Sequence, residues 1–321
     1  MDRRRFLAGC AGLSLWPAAG RAFAEGPLTK IVFPFAAGGG GDTFCRLLAE
    51  HLRPLLDRAV IVENRTGADG LIGIKSAMNA NPDGTTILVT TGPTMYLLPM
   101  MEAKPSFDLD KDFVPVSLLG RFEFAIVTGP GTDAKTFPQL VAWLKANPAK
   151  ASFGVPSNGT IPHFTGSKLE QALGIPMTRV PYRGSAPIVQ ALLGGHLPFG
   201  IITLSDAIPQ HKAGGVRVLA VSSEKRSPFL PEAPTLRESG IDLVADAWYG
   251  MWLPAGSSAD FAGQLSGAVA KALAMPDVKE KLLAIGLIPV GSTPQELSQE
   301  LAANTALWQP IVKASGYKIA N

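Results

Sequence analysis

Four consecutive glycines, Gly38 to Gly41, are followed at once by Asp42. An apolar run, Lys30–Phe35, precedes them, and a helical stripe of Leu47, Leu48, His51, Leu52 and Leu55 comes after. Glycines between a strand and a helix let backbone N–H groups converge on an anion at the helix start. Two nucleotide chemistries fail on detail. No Lys-Ser or Lys-Thr follows the glycines, as a phosphate-binding P-loop requires. Thr43 stands where a dinucleotide fingerprint needs its third glycine or alanine. Asp42 is placed to cap the helix with its carboxylate. A side chain at Gly40 would fill the space an anion needs.

The same layout returns at Ser157-Asn158-Gly159-Thr160, and Gly184-Ser185 repeats it in brief. Three small-residue loops at the carboxyl ends of strands are where open α/β sheets bind ligands. Helix caps need the same residue types, so spacing alone leaves both roles open. Catalytic patterns are poor: after the leader there is no G-x-S-x-G elbow and no H-E-x-x-H. Histidines 51, 163, 196 and 211 form no i, i+4 pair and have no cysteine neighbour, so no metal site is expected. His163 reads as a first-turn packing residue and Cys45 as a buried, inert thiol. Tyr182-Arg183 offers a hydroxyl and a guanidinium, with a surface arginine the plainer role. Trp248, Tyr249 and Trp252 read as core or hinge packing.

The elements that must position these loops alternate between strand and helix. Lys30–Phe35, Val60–Glu63 and Thr86–Thr90 read as strands of a first set. Ala125–Thr128 opens a second set, which Ser152–Val155, Thr178–Pro181, Phe199–Thr203 and Val216–Val221 continue. Helices fill the intervals and most of the tail, where Thr293-Pro294-Gln295-Glu296 is a capping box. Such alternation predicts an α/β class with mostly parallel sheets and helices on both faces. We expect two lobes, residues 25–124 with 228–321 and residues 125–227, joined by two crossings. The proline-rich stretch Ser227–Pro234 reads as the second crossing.

Composition sets the outer bounds. With 321 residues, 46% hydrophobic and 17% charged, the chain can bury a core without a disulfide or metal. Residues 1–24 open on Arg3-Arg4-Arg5-Phe6-Leu7, continue apolar to Ala19 and end on Ala22-Phe23-Ala24. That is a signal peptide with cleavage expected after Ala24, and its paired arginines match a twin-arginine export signal. Leu7-Ala8-Gly9-Cys10 fits a lipoprotein box but lies too close to the arginines for an apolar region. The leader holds four arginines and one acid, which accounts for the whole net charge of +3. A neutral body argues against a nucleic-acid partner.

The ordered segments together resemble the periplasmic substrate-binding proteins of tripartite tricarboxylate transporters, the Bug family. The resemblance is carried by Phe33–Asp42 with Arg46, and by Val62–Ala68 with Gly73. Pro82-Asp83-Gly84, Val180–Gly184, Leu192–Gly195 and Gly215–Val221 continue it. Asp69 departs from it, standing where the family usually has glycine, and Thr66 where it has proline. The resemblance implies a two-lobed flytrap of type II-like topology, periplasmic and monomeric, with no cofactor and no catalysis. It implies a small organic acid as ligand and membrane transporter subunits as partner. Phe35 and Ala36 would line one wall, and Gly38, Gly39, Gly40, Asp42 and Thr91 would form the first lobe's side. Ser157, Asn158, Gly159 and Thr160 would meet the ligand from the second lobe. Ser205 and Asp206 would read its far end. Two rival expectations are a sensing module for a receptor kinase and an exported hydrolase-type enzyme.

Overall fold

The computed structural model describes residues 28–319. The expected leader and its cleavage site lie outside the described residues. The first half of the chain runs β1 (Thr29–Phe33), α1 (Gly40–Leu56), β2 (Val60–Asn64), α2 (Leu71–Met78) and β3 (Thr86–Thr91). It continues through α3 (Gly92–Met101), α4 (Leu109–Asp112) and β4 (Phe113–Phe122). Glu123 alone separates β4 from β5 (Phe124–Thr128), which opens a second sheet. That sheet is completed through α5 (Phe137–Ala146), β6 (Ser152–Val155), α6 (Ile161–Leu173), β7 (Thr178–Pro181) and α7 (Ser185–Leu193). β8 (Phe199–Thr203), α8 (Leu204–Lys212) and β9 (Arg217–Val221) follow. The chain then returns through β10 (Ala247–Pro254), α9 (Ala259–Ala274), α10 (Pro276–Ala284), β11 (Ile288–Pro289) and α11 (Pro294–Ser315).

The sheets have strand orders β11-β4-β10-β3-β1-β2 and β7-β6-β8-β5-β9. The α/β class holds, but both sheets are mixed, not mostly parallel. β1 pairs in parallel with β2 and β3, and β6 with β7 and β8. β10 lies antiparallel to β3 and β4, and β5 antiparallel to β8 and β9. Parallel pairs arise where a helix carries the chain back over the sheet. β5 and β10 enter from the other sheet, with no such crossover, and run the opposite way.

The second crossing also lies elsewhere than expected. Ser227–Pro234 does not run between the sheets. Leu230 and Ala233 are buried against the second sheet's core, and the Val221 and Leu236 amides bond to Pro234 and Val221 carbonyls. Ala245 still bonds to Ser222, and the chain joins the first sheet only at Ala247. Apolar side chains every few residues make this proline-rich stretch a packed cover, not a linker.

α11 begins with the capping box, Thr293 and Glu296 each bonding the other's backbone N–H. At the centre, Trp248 and Trp252 of β10 are fully buried with ring centroids 6.0 Å apart. A Cβ on Gly92 would sit 2.3 Å from the Trp248 ring, so only glycine lets α3 start against β10.

Candidate functional site

A cavity of about 700 Å³ opens between the two sheets. Loops after β1, β2 and β6 frame it, with the starts of α3 and α7, the crossover residues Phe122 and Phe124, and the tail after α11. Of the residues singled out by sequence, Phe35, Ala36, Gly39, Gly40, Asp42, Thr91, Ser157, Asn158, Gly159 and Thr160 line it. The lining does not include Gly38, Ser205 or Asp206. Ser205 faces Gly286 of the first sheet's side, where a Cβ would approach it to 2.6 Å. Asp206, exposed on α8, lies beside Ser185 and Tyr249, both of which line the cavity.

The glycine loop is organised by Asp42, but not as an N-cap. Gly39 is the N-cap of α1, without a side-chain cap bond. Asp42 sits within the first turn and reaches back. Its Oδ2 accepts from Gly38 N–H at 2.9 Å and Arg46 Nε at 2.9 Å, and its Oδ1 accepts from Asn64 Nδ2 at 2.9 Å. Asn64 Nδ2 also donates to the Phe35 carbonyl, tying β2 to the loop. Gly38, with φ of 87°, is thus turned to the carboxylate. The N–H groups of Gly39, Gly40 and Gly41 are left for the cavity. Burial alone would raise the Asp42 carboxyl, but the bonds from Arg46, Gly38 and Asn64 outweigh it and hold the pKa at about 2.

A depressed carboxyl contributes stability above its unfolded pKa and loses it as pH falls through the folded one. Between 3.8 and about 2, that amounts to about 2 kcal/mol. Asp42→Asn is therefore expected to lower stability by about that much at neutral pH. It should also flatten the acid limb of a melting curve taken from pH 4 down to pH 2. An unchanged acid limb would remove Asp42 from the account.

The second loop has its own brace. His163, fully buried, stacks on Phe164 and accepts the Gly159 N–H at Nδ1, 2.9 Å away. Burial, then the neighbouring Arg179, push its pKa down to about 4, so the ring is neutral at pH 7. Arg179 Nε donates to Asn158 Oδ1 at 2.9 Å, and its guanidinium lies 5.9 Å from the Tyr317 ring centroid. The Thr160 hydroxyl closes the loop onto the Ser157 carbonyl. His163 therefore does more than pack: it fixes the shape of the loop.

Sequence reasoning missed the aromatic wall. Tyr249 of β10, Phe33, Phe122 and Phe124 all line the cavity, as do Leu97, Leu98, Met101 and Tyr317. Tyr249 packs 5.1 Å from Phe122 and 6.2 Å from Phe33, centroid to centroid. Its hydroxyl sits 2.6 Å from where a Gly41 Cβ would be, at the start of α1. Burial pushes that hydroxyl well above the usual tyrosine range, so it stays a neutral donor. The one signal available was the aromatic run at 248–252. Cys45 is buried, and burial, then Asp42, push its thiol up, consistent with an inert packing role. Among the described residues no cluster of three His, Cys, Asp or Glu could hold a metal ion.

This geometry is a polar backbone cradle facing an apolar wall across a cleft. Residues 44–317 match the model of the tripartite tricarboxylate transporter family receptor. The chain belongs to that family. It is 31% identical over 98% of both chains to the "UPF0065 protein in gbd 5'region" of Cupriavidus necator. Among solved structures it is similar to R. palustris Rpa4515 with adipate, at 27% identity and a TM-score of 0.81. That match covers 91% of this receptor and 98% of Rpa4515. It is also similar to MatC from Rhodopseudomonas palustris with bound malate, at 27% identity and a TM-score of 0.76. Here the coverage is 89% and 98%.

Proposed function

We propose that this receptor captures a small carboxylate in the cleft and presents it to membrane subunits of a tripartite transporter. The observation that carries this is the open row of N–H groups at Gly39–Gly41, backed by the Tyr249 hydroxyl and facing Ser157–Thr160 across the cavity. Backbone N–H groups at a helix start bind carboxylates without a cationic side chain. The adipate and malate held by the two Rhodopseudomonas proteins support the same chemistry here. We place the protein in the periplasm, exported by residues 1–24 and cleaved after Ala24. The two sheets act as lobes that close about the paired crossings, since a ligand touching both favours the closed form. Binding rather than turnover is the role, and the receptor works as a monomer with no cofactor.

A ligand that binds only the folded state at 100 times its dissociation constant adds about 2.7 kcal/mol. For a chain of this size the melting temperature is expected to rise by a few degrees. A thermal-shift screen of ligand-stripped protein against mono-, di- and tricarboxylates, with sugars as controls, checks this. Hits confined to sugars, or none at all, would sink the carboxylate assignment.

A further inference from the structure

We propose that the ligand is a monocarboxylate carrying an aromatic body, and that this cleft discriminates against di- and tricarboxylates. The inference rests on the carboxylate function proposed above and narrows it.

The charge of the wall comes first. Among the described residues that line the cavity there is no lysine, arginine or histidine, and the two charged side chains are Asp42 and Asp69. Asp42 is matched by Arg46. Asp69 is exposed, held in the left-handed region with φ of 53°, and makes no ion pair with a described residue. Two cations behind the lining are engaged with protein groups, while Arg183, next to Gly184, is exposed and lies outside the lining. Arg46 bonds Asp42 and Asn64, and Arg179 bonds Asn158 and covers Tyr317. A carboxylate taken out of water needs fixed partners.

Those partners suffice for one anion. The N–H row at Gly39–Gly41 is continuous, and no proline interrupts it. The other helix starts facing the cavity have fewer open donors. At α7 the Gly184 N–H is taken by the Pro156 carbonyl and Pro187 stands in the first turn, which leaves the N–H groups of Ser185 and Ala186. α3 carries Pro93 in its first turn, and the Thr91 hydroxyl already caps the Thr94 N–H. α6 carries Pro162 in its first turn, and the Gly159 N–H is taken by His163. A second carboxylate on the ligand would face fewer donors and the unmatched charge of Asp69.

The body of the ligand meets rings. Phe35, Phe33, Tyr249, Phe122 and Phe124 form an unbroken chain with centroid separations of 5.3, 6.2, 5.1 and 5.7 Å. All five line the cavity of about 700 Å³. Edge-to-face and offset contacts with such a wall favour an aromatic group over a flexible polar chain. Tyr249 joins the two halves, its hydroxyl at the cradle and its ring in the wall.

The test is calorimetry on protein stripped by unfolding and refolding, at one pH and ionic strength. The probes are benzoate, phenylacetate, 3-phenylpropionate, hexanoate, malate, adipate and citrate. The best aryl acid is expected to bind at least about tenfold more tightly than any di- or tricarboxylate. Asp69→Asn should raise malate affinity by a few fold and leave the aryl acid unchanged. Phe35→Lys should reverse the order, since it removes a ring and supplies a cation. Malate, adipate or citrate binding as tightly as every aryl acid overturns this inference and leaves the carboxylate receptor standing. Hexanoate exceeding all aryl acids overturns its aromatic part. No binding by any acid, from protein shown to be refolded, overturns both the inference and the function beneath it.

Discussion

Gly40→Val is expected to lower carboxylate affinity by about a hundredfold while leaving the melting temperature of the empty protein unchanged. A Cβ at Gly40 meets no protein atom within 4 Å, and Gly40 is not among the glycines with positive φ. The fold therefore has no steric reason to resist the change. Yet Gly40 lines the cavity beside the N–H row of α1, so the branched side chain stands where an anion's oxygens would approach. A hydrogen bond to a charged group contributes about 1.5–3 kcal/mol, and losing one or two of them gives roughly that hundredfold. Gly41 is the instructive contrast. There a Cβ would come within 2.6 Å of both Phe33 Cζ and Tyr249 Oη. Gly41→Ala should weaken binding and also destabilise the protein, by about 1–3 kcal/mol, because the packed wall must move. Calorimetric titration and thermal melting of both variants check the pair. Gly40→Val binding as tightly as the parent would take the ligand away from α1, and a lowered melting temperature would make the glycine structural.

The contrast shows what a single sequence reveals and where it stops. The loops were legible because Gly38–Asp42 and Ser157–Thr160 each follow an apolar run and open a helix, a pattern with a local physical cause. Of the strands at the crossings, Ala125–Thr128 was legible but β4 and β10 were not. β4 contains Pro115 and is bulged where Trp252 pairs with it, and β10 ends on Pro254, so neither reads as a regular alternation. Missing β10 meant missing Tyr249, whose hydroxyl reaches α1 only because β10 lies beside β3 in the sheet. Asp42 was legible as an acid in a first turn, but its partner Asn64 lies 22 residues on and meets it only through the pairing of β1 and β2. Asp206 was expected at the cleft from the family resemblance alone. Asp206 is not itself part of the lining, but it lies beside Ser185 and Tyr249, which are. What lies beyond local pattern in each case is register between distant strands.

Arg121→Met is expected to cost about 2–4 kcal/mol of stability, a fall in melting temperature of roughly 5–10 °C. Arg121 lies near the end of β4, two residues before the chain crosses to the second sheet at Glu123. Its Nη1 donates to Asp246 Oδ2 at 3.1 Å, just before β10, where the chain crosses back. Nη1 and Nη2 also donate to the Glu300 carboxylate of α11, at 3.1 and 2.6 Å. One guanidinium thus ties both crossings to the C-terminal helix. Burial raises the Asp246 carboxyl, and Arg121 is the group that opposes it. Methionine keeps the volume but leaves two part-buried carboxylates facing each other without a cation, and that repulsion is the larger share of the loss. The sign can be tested within the same series. Adding Asp246→Asn and Glu300→Gln to Arg121→Met removes the orphaned charges, so much of the stability should return. The triple variant melting no higher than the single one would mean that the bonds themselves, not the unmatched charges, hold the crossings. A single variant that melts like the parent would show that the β4–β10 pairing alone positions them, and the network would have no part in the hinge.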